Sequence, residues 1–182
     1  MQLIDFKKNY FDLFNIEIGF NIDSAVLHSR QQQLLSQFHP DRFVTANEQQ
    51  KRLSVQQACH INEAYQTLLD PVSRARYLLE MSGLELNDES ETTSDTAFLI
   101  EQIEYREQLD ACRDHADPVA RYEQIDASLK HKAQQLGEAF VSSFAAGDLD
   151  TASNVNRKMQ FIQRVQAQLA ELQLEFEEQY DQ

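Results

Sequence analysis

An all-α fold in two parts is predicted for this chain, and three observations predict it. The 182 residues include only four glycines and three prolines, while Gln, Glu, Leu and Ala are abundant, which favours helix over strand. Apolar residues recur at helical spacing, most regularly near the end, where Val155, Ile162, Leu169 and Phe176 fall every seven residues. Charge is unevenly divided. Residues 1–77 carry eight basic and eight acidic side chains, residues 78–182 eight and twenty-two, so the whole net charge of −14 lies in the second part. The expected organisation is a domain over 1–77, a connector over 78–94 and a second domain over 95–182.

In the first part, Leu27, Leu34, Leu35 and Phe38 mark one helix, and Ala58, Ile61, Ala64, Tyr65, Leu68 and Leu69 mark another. Between them stands His39-Pro40-Asp41. Proline biases the residue before it away from the αR region, so the first helix should stop at His39. A buried loop would strand backbone polar groups, so this one should lie at the surface with imidazole and carboxylate exposed. The triplet alone arises by chance in roughly one chain of this length in a hundred. Its place in a helical hairpin is rarer.

Residues 82–93, from Ser82 to Thr93, are polar, acidic and without helical period, so the boundary belongs there, although Leu84 and Leu86 can still pack. Three helices should follow. Ser94 is the expected N-cap of a helix running from Asp95 to about Arg113. Asp117-Pro118 offers a cap and a first-turn proline for the second, whose Tyr122, Leu129, Leu136, Phe140 and Phe144 keep one face. Gly147 should end it and Asp148 should cap the third. In the third, Met159, Val165 and Leu172 widen the heptad stripe into a bundle seam. Short connections make these helices an antiparallel three-helix bundle.

Composition also excludes. No run approaches the roughly twenty apolar residues of a membrane span, and Met1-Gln2-Leu3-Ile4-Asp5-Phe6 lacks the pattern of a signal or transit peptide. Neither part has the basic footprint of a nucleic-acid binder. Cys59 and Cys112 have no Cys-x-x-Cys partner, which argues against structural zinc and for a reducing, cytoplasmic setting; both are expected as small core residues. No cofactor and no metal site is expected. An enzyme using His39 and Asp41, with His28 and His60 converging as ligands, lacks the helical ligand spacing such a site needs.

The sharpest inference concerns residues 98–112. At 100° per residue, Phe98, Tyr105, Leu109 and Cys112 fall within about 40° of one direction, a good core stripe. Leu99, Ile100 and Ile103 fall about 100–200° away, beside Glu104 and Glu107. An edge helix of a three-helix bundle needs one buried stripe. The second patch should therefore touch the first domain, the acidic connector or another molecule. Three branched aliphatics rimmed by carboxylates would combine an apolar anchor with orienting charge.

The hairpin with His39-Pro40-Asp41 resembles a J-domain, a helical hairpin with short flanking helices. Tyr10-Phe11-Asp12-Leu13-Phe14 resembles its aromatic-rich opening helix, Asn62-Glu63-Ala64-Tyr65-Gln66-Thr67-Leu68 its third helix, and the segment from Asp70-Pro71 to Arg76-Tyr77 its short final helix. The run from Asp95-Thr96-Ala97-Phe98 to Gln108-Leu109-Asp110 is similar to a segment of the HscB family, the J-type co-chaperones of iron–sulfur assembly, and Arg157-Lys158-Met159-Gln160-Phe161 to that family's last helix. The resemblance covers about residues 8–182.

The resemblance implies a co-chaperone, not an enzyme. His39, Pro40 and Asp41, supported by Arg30 and Arg42, would engage the ATPase domain of a DnaK/HscA-type chaperone and stimulate hydrolysis. Leu99, Ile100 and Ile103, with Glu104, Arg106 and Glu107 and an aromatic at Phe161, would bind the scaffold protein IscU. A monomer or weak self-association is expected, with no membrane partner. The alternative is a general J-domain co-chaperone for unfolded clients, against which stands the lack of a Gly/Phe-rich segment or a zinc module. In one respect the chain departs from the family. J-domains commonly line the helix before the loop with basic residues; between Ser24 and Phe38 this chain has only Arg30 and His28, with Ser36 where a basic residue is usual. Arg42, Lys51 and Arg52 lie beyond the loop. The departure bears on the strength and salt dependence of chaperone docking, not on the loop.

Overall fold

The structure is a computed structural model that describes residues 4–38, 47–86, 95–113 and 117–180. Among these residues it is all-helical, with α1 Tyr10–Phe14, α2 Ser24–Phe38, α3 Glu48–Leu69, α4 Pro71–Met81, α5 Thr96–Arg113, α6 Pro118–Ala145 and α7 Leu149–Tyr180. The chain forms two compact units, Met1–Leu78 and Leu79–Gln182.

In the first unit α2 and α3 form an antiparallel hairpin. His28 meets the Tyr65 hydroxyl at 3.2 Å, and one turn on, Gln31 Nε2 donates to Asn62 Oδ1 at 3.1 Å. Helix α2 is described from Ser24 to Phe38, and the expected stop at His39 lies outside the described residues. Helix α3 starts from a reciprocal cap: the Asn47 side chain accepts from Gln50 N–H, and the Asn47 N–H donates to the Gln50 side chain. Leu27 and Phe38 of α2 and Ile61, Ala64 and Leu68 of α3 are buried, and Phe11 and Phe14 of α1 join that core. Helix α1 is tied down by Tyr77 of α4, whose hydroxyl accepts from Tyr10 N–H at 3.0 Å while its ring stacks on Tyr10 at 4.5 Å between centroids. Arg74 is buried too. Its guanidinium donates to the Leu68 and Leu69 carbonyls at the end of α3 and lies 5.1 Å from the Phe20 ring centroid. Burial lowers its pKa, an effect opposed by Asp70. These contacts lock the α3–α4 corner.

Helix α4 runs to Met81, into the stretch expected as connector, and closes with Leu84 N–H on the Leu79 carbonyl and Gly83 at φ +86°. Leu78 and Leu79 are buried, which explains why the helix continues past Tyr77.

The second unit is a three-helix bundle of α5, α6 and α7, with α6 against α7 the most extensive pair. Its core holds Phe98, Tyr105, Leu109 and Cys112 from α5, Ile125, Leu129, Leu136 and Phe140 from α6, and Ala152, Val155, Met159, Ile162, Val165, Leu169 and Leu172 from α7. The helix starts follow the expected chemistry with one correction. Asp117 accepts from Ala120 N–H ahead of Pro118, and Asp148 accepts from Thr151 N–H after Gly147 at φ +74°. For α5, however, the side chain that accepts from Phe98 N–H is Asp95, not Ser94, and the helix begins at Thr96; Ser94 lies outside the described residues. A carboxylate at the cap also gains from the helix dipole. Burial corrects other expectations. Ile125 is in the core, unanticipated, while Tyr122, Phe144 and Phe176 are only half-buried. Cys112 is buried but Cys59 is exposed on α3, so the expectation of a core residue fails there. Among the described residues no helix is long and apolar enough to cross a membrane.

Candidate functional site

Helix α5 presents two faces because its apolar residues follow two registers. Phe98, Tyr105, Leu109 and Cys112 point into the bundle, each no more than 7% exposed. Leu99, Ile100 and Ile103 stand 42%, 52% and 57% exposed. Glu104, Arg106 and Glu107 beside them are exposed as well. The result is an apolar patch a little over one turn long with a mostly acidic border.

Phe161 of α7 connects this patch to the core. It is half-buried, meeting the Phe98 ring edge-on at 5.4 Å and the Tyr105 ring at 6.2 Å between centroids. Aromatic pairs at such distances favour edge-to-face or offset-stacked arrangements over a face-to-face sandwich. Tyr105 is held in its phenol form, its pKa raised by burial first and by Glu101 and Glu104 next.

Two ion pairs fix α5 on its neighbours, and sequence reasoning missed both. Lys158 of α7 donates to Asp95 at 2.6 Å and passes 5.3 Å from the Phe98 ring centroid. That bond, then the Phe98 N–H, holds the Asp95 carboxyl below its ordinary value. Lys132 of α6 pairs with Glu101 at 2.6 Å. Glu101 and Lys132 keep only about a quarter of their side-chain surface. Together these contacts set the rotation of α5 about its axis, and so decide which residues face outward.

The other expected site falls on His39, Pro40, Asp41 and Arg42, which lie outside the described residues. Its flanks are described. Arg30 is half-buried on α2, its guanidinium donating to Gln33 at 3.4 Å. Ser36 donates to the Gln33 carbonyl, Lys51 pairs with Glu48 at 3.1 Å, and Arg52 is exposed. His28 and His60 do not share a site: His28 is at Tyr65, whereas His60 packs between Phe6 and Tyr10.

Comparisons with known proteins agree with this architecture. A family model described as the HSCB C-terminal oligomerisation domain matches residues 94–180. A co-chaperone protein HscB homologue of Shewanella pealeana is 38% identical over 169 residues, covering 91% of this chain and 97% of its own length. One from Aeromonas salmonicida is 38% identical over 161 residues, covering 88% and 94%. Among solved structures, chaperone HscB from Vibrio cholerae is 36% identical with a TM-score of 0.85, covering 93% of this chain and 99% of that one. The human co-chaperone protein HscB is 30% identical with a TM-score of 0.86, covering 95% and 86%. The Jac1 co-chaperone of Saccharomyces cerevisiae shares the fold at 19% identity, with a TM-score of 0.70 over 91% of this chain and 96% of its own. With the J-type hairpin and the bundle in place, the chain belongs to the HscB family, the J-type co-chaperones of iron–sulfur cluster assembly.

Proposed function

We propose that the chain is an adaptor that holds the scaffold protein IscU on its bundle while its His-Pro-Asp loop stimulates ATP hydrolysis by a DnaK/HscA-type chaperone. The observation that carries the scaffold half is the outward face of α5, where Leu99, Ile100 and Ile103 remain exposed on a helix whose other face is buried. Glu104, Arg106 and Glu107 surround the anchor, and Phe161 supplies an aromatic edge at its side. An apolar centre within a polar rim is the usual anatomy of a reversible interface.

No chemistry is assigned to this chain. Asp41, next to a proline of fixed φ, pairs with a cationic group on the chaperone, and His39 orients the loop. Arg30 and Arg42 add positive charge. The Mg²⁺-nucleotide and the hydrolytic groups belong to the chaperone. Joining two partners through one chain raises their effective concentration without a new contact between them. The chain works as a monomer or with weak self-association, in the reducing cytoplasm.

Competition tests this reading against a general client-binding role. IscU bound to the full chain should resist displacement by an excess of unfolded polypeptide, and Leu99, Ile100 and Ile103 amides should broaden on IscU addition alone. Displacement by unfolded chains would favour the general co-chaperone.

A further inference from the structure

Beyond the exposed patch, α5 and α7 enclose a groove of about 320 Å³ whose floor is Leu109 and Leu172 and whose walls include Arg106, Asp110, Glu171 and Glu175. Its position follows from helix geometry. At 100° per residue, Leu99, Ile103, Arg106 and Asp110 lie within about 60° of one another on α5. Phe161, Gln168, Leu172 and Glu175 lie within about 60° on α7. Helices α5 and α7, the first and third of the bundle, run the same way. Both stripes therefore lead from the patch and Phe161 into the groove, making one continuous surface.

The groove has a distinct chemistry. Asp110 and Glu171 have no ion-pair partner among the described residues, and neither does Arg106. Arg106 stands one turn nearer the patch than Asp110, which leaves the far end acidic. An apolar floor suits a methylene stem, and carboxylates above it suit the charge at its tip; Lys and Arg are the side chains built that way. A second copy of this chain is a poor occupant, because its bundle carries the same excess of acid.

We infer that the groove between α5 and α7 receives a lysine or arginine side chain of the protein that covers Leu99, Ile100 and Ile103, so that Asp110 and Glu171 extend the interface beyond the apolar anchor. The inference rests on the reading of that patch as the IscU site. Asp110 and Glu171 fix the register of the bound scaffold along α5 and add long-range attraction during encounter, which the apolar patch cannot supply.

The test is titration of the full chain with IscU at low and at physiological salt. Exposed charge pairs contribute modestly, so the Asp110→Asn/Glu171→Gln variant should bind about threefold to tenfold more weakly at low salt. Its affinity should also vary less with salt than that of the parent. Asp110→Lys/Glu171→Lys should weaken binding further, with unchanged thermal unfolding showing that the bundle is intact. Wild-type affinity and salt dependence in both variants would overturn the inference. A Leu99/Ile100/Ile103→Ala variant run alongside separates the two readings: if it alone loses IscU, only the groove assignment falls. If the parent chain does not bind IscU, both fall.

Discussion

Phe98 and Phe161 meet edge to face, 5.4 Å apart, at the point where the buried side of α5 passes into its exposed side. Because Phe98 is buried and Leu99 next to it is exposed, the contact fixes the angular boundary between core and surface. Lys158 reinforces it from the same helix as Phe161, reaching Asp95 at the start of α5 and covering the Phe98 ring. The exposed patch is thus presented by a rigid mount.

Truncating Phe161 should therefore affect two properties. A fully buried Phe→Ala change costs about 3–5 kcal/mol; for a half-buried ring, a loss of about 1–3 kcal/mol in denaturant unfolding is expected. IscU affinity should drop as well. Phe161→Leu should restore most of the stability and little of the affinity, since it refills the volume without the aromatic edge. Equal recovery of both would show that the ring acts through packing alone.

Acid should loosen the same mount. The Asp95 carboxyl is held below its ordinary value of 3.8 by Lys158 and by Phe98 N–H, so the folded chain binds fewer protons here than the unfolded chain. Its contribution to stability is complete above that ordinary value and is lost as pH falls through the lower, folded one. Asp148, held down by Thr151 N–H, acts in the same sense. Asp95→Asn should be less stable than the parent at neutral pH, and the gap should close as pH falls below about 4. Denaturant unfolding of both proteins at pH 7, 5 and 3 checks this; a gap that widens in acid contradicts it.

The first unit carries a different liability. Gln57 is fully buried in α3, and both polar atoms of its amide lack a hydrogen-bond partner among the described residues. A buried amide without partners costs about 1–3 kcal/mol. Gln57→Leu should accordingly raise the stability of residues 1–78 by about 1 kcal/mol or more, read by hydrogen exchange of the α2–α3 hairpin. Destabilisation would mean that the amide makes an interaction in solution.

The two faces of α5 were legible in the sequence because a 100° rotation per residue sorts Phe98, Tyr105, Leu109 and Cys112 from Leu99, Ile100 and Ile103 without reference to any other helix. The starts of α6 and α7 were equally local, resting on Asp117-Pro118 and Gly147-Asp148. What could not be read was set by distance along the chain. Lys158 and Asp95 are 63 positions apart, and no periodicity links them. The same holds for Lys132 with Glu101 and for the α5–α7 groove. Even Asp95 as the cap turns on this: Ser94 and Asp95 are both good caps, and Lys158 favours the carboxylate. The α3 periodicity left Cys59 beside its apolar stripe, where a thiol is as compatible with solvent as with the core.

In the proposed function two activities are carried by separate parts of one chain, and a reciprocal pair of variants measures that directly. Stimulation of a DnaK/HscA-type ATPase and affinity for IscU are read on Asp41→Ala and on Leu99/Ile100/Ile103→Ala. Asp41→Ala should abolish stimulation and leave IscU affinity within twofold, whereas the triple variant should keep its fold and the loop-dependent stimulation but bind IscU more than about tenfold more weakly. IscU binding that survives in the triple variant, or disappears with Asp41, would contradict it.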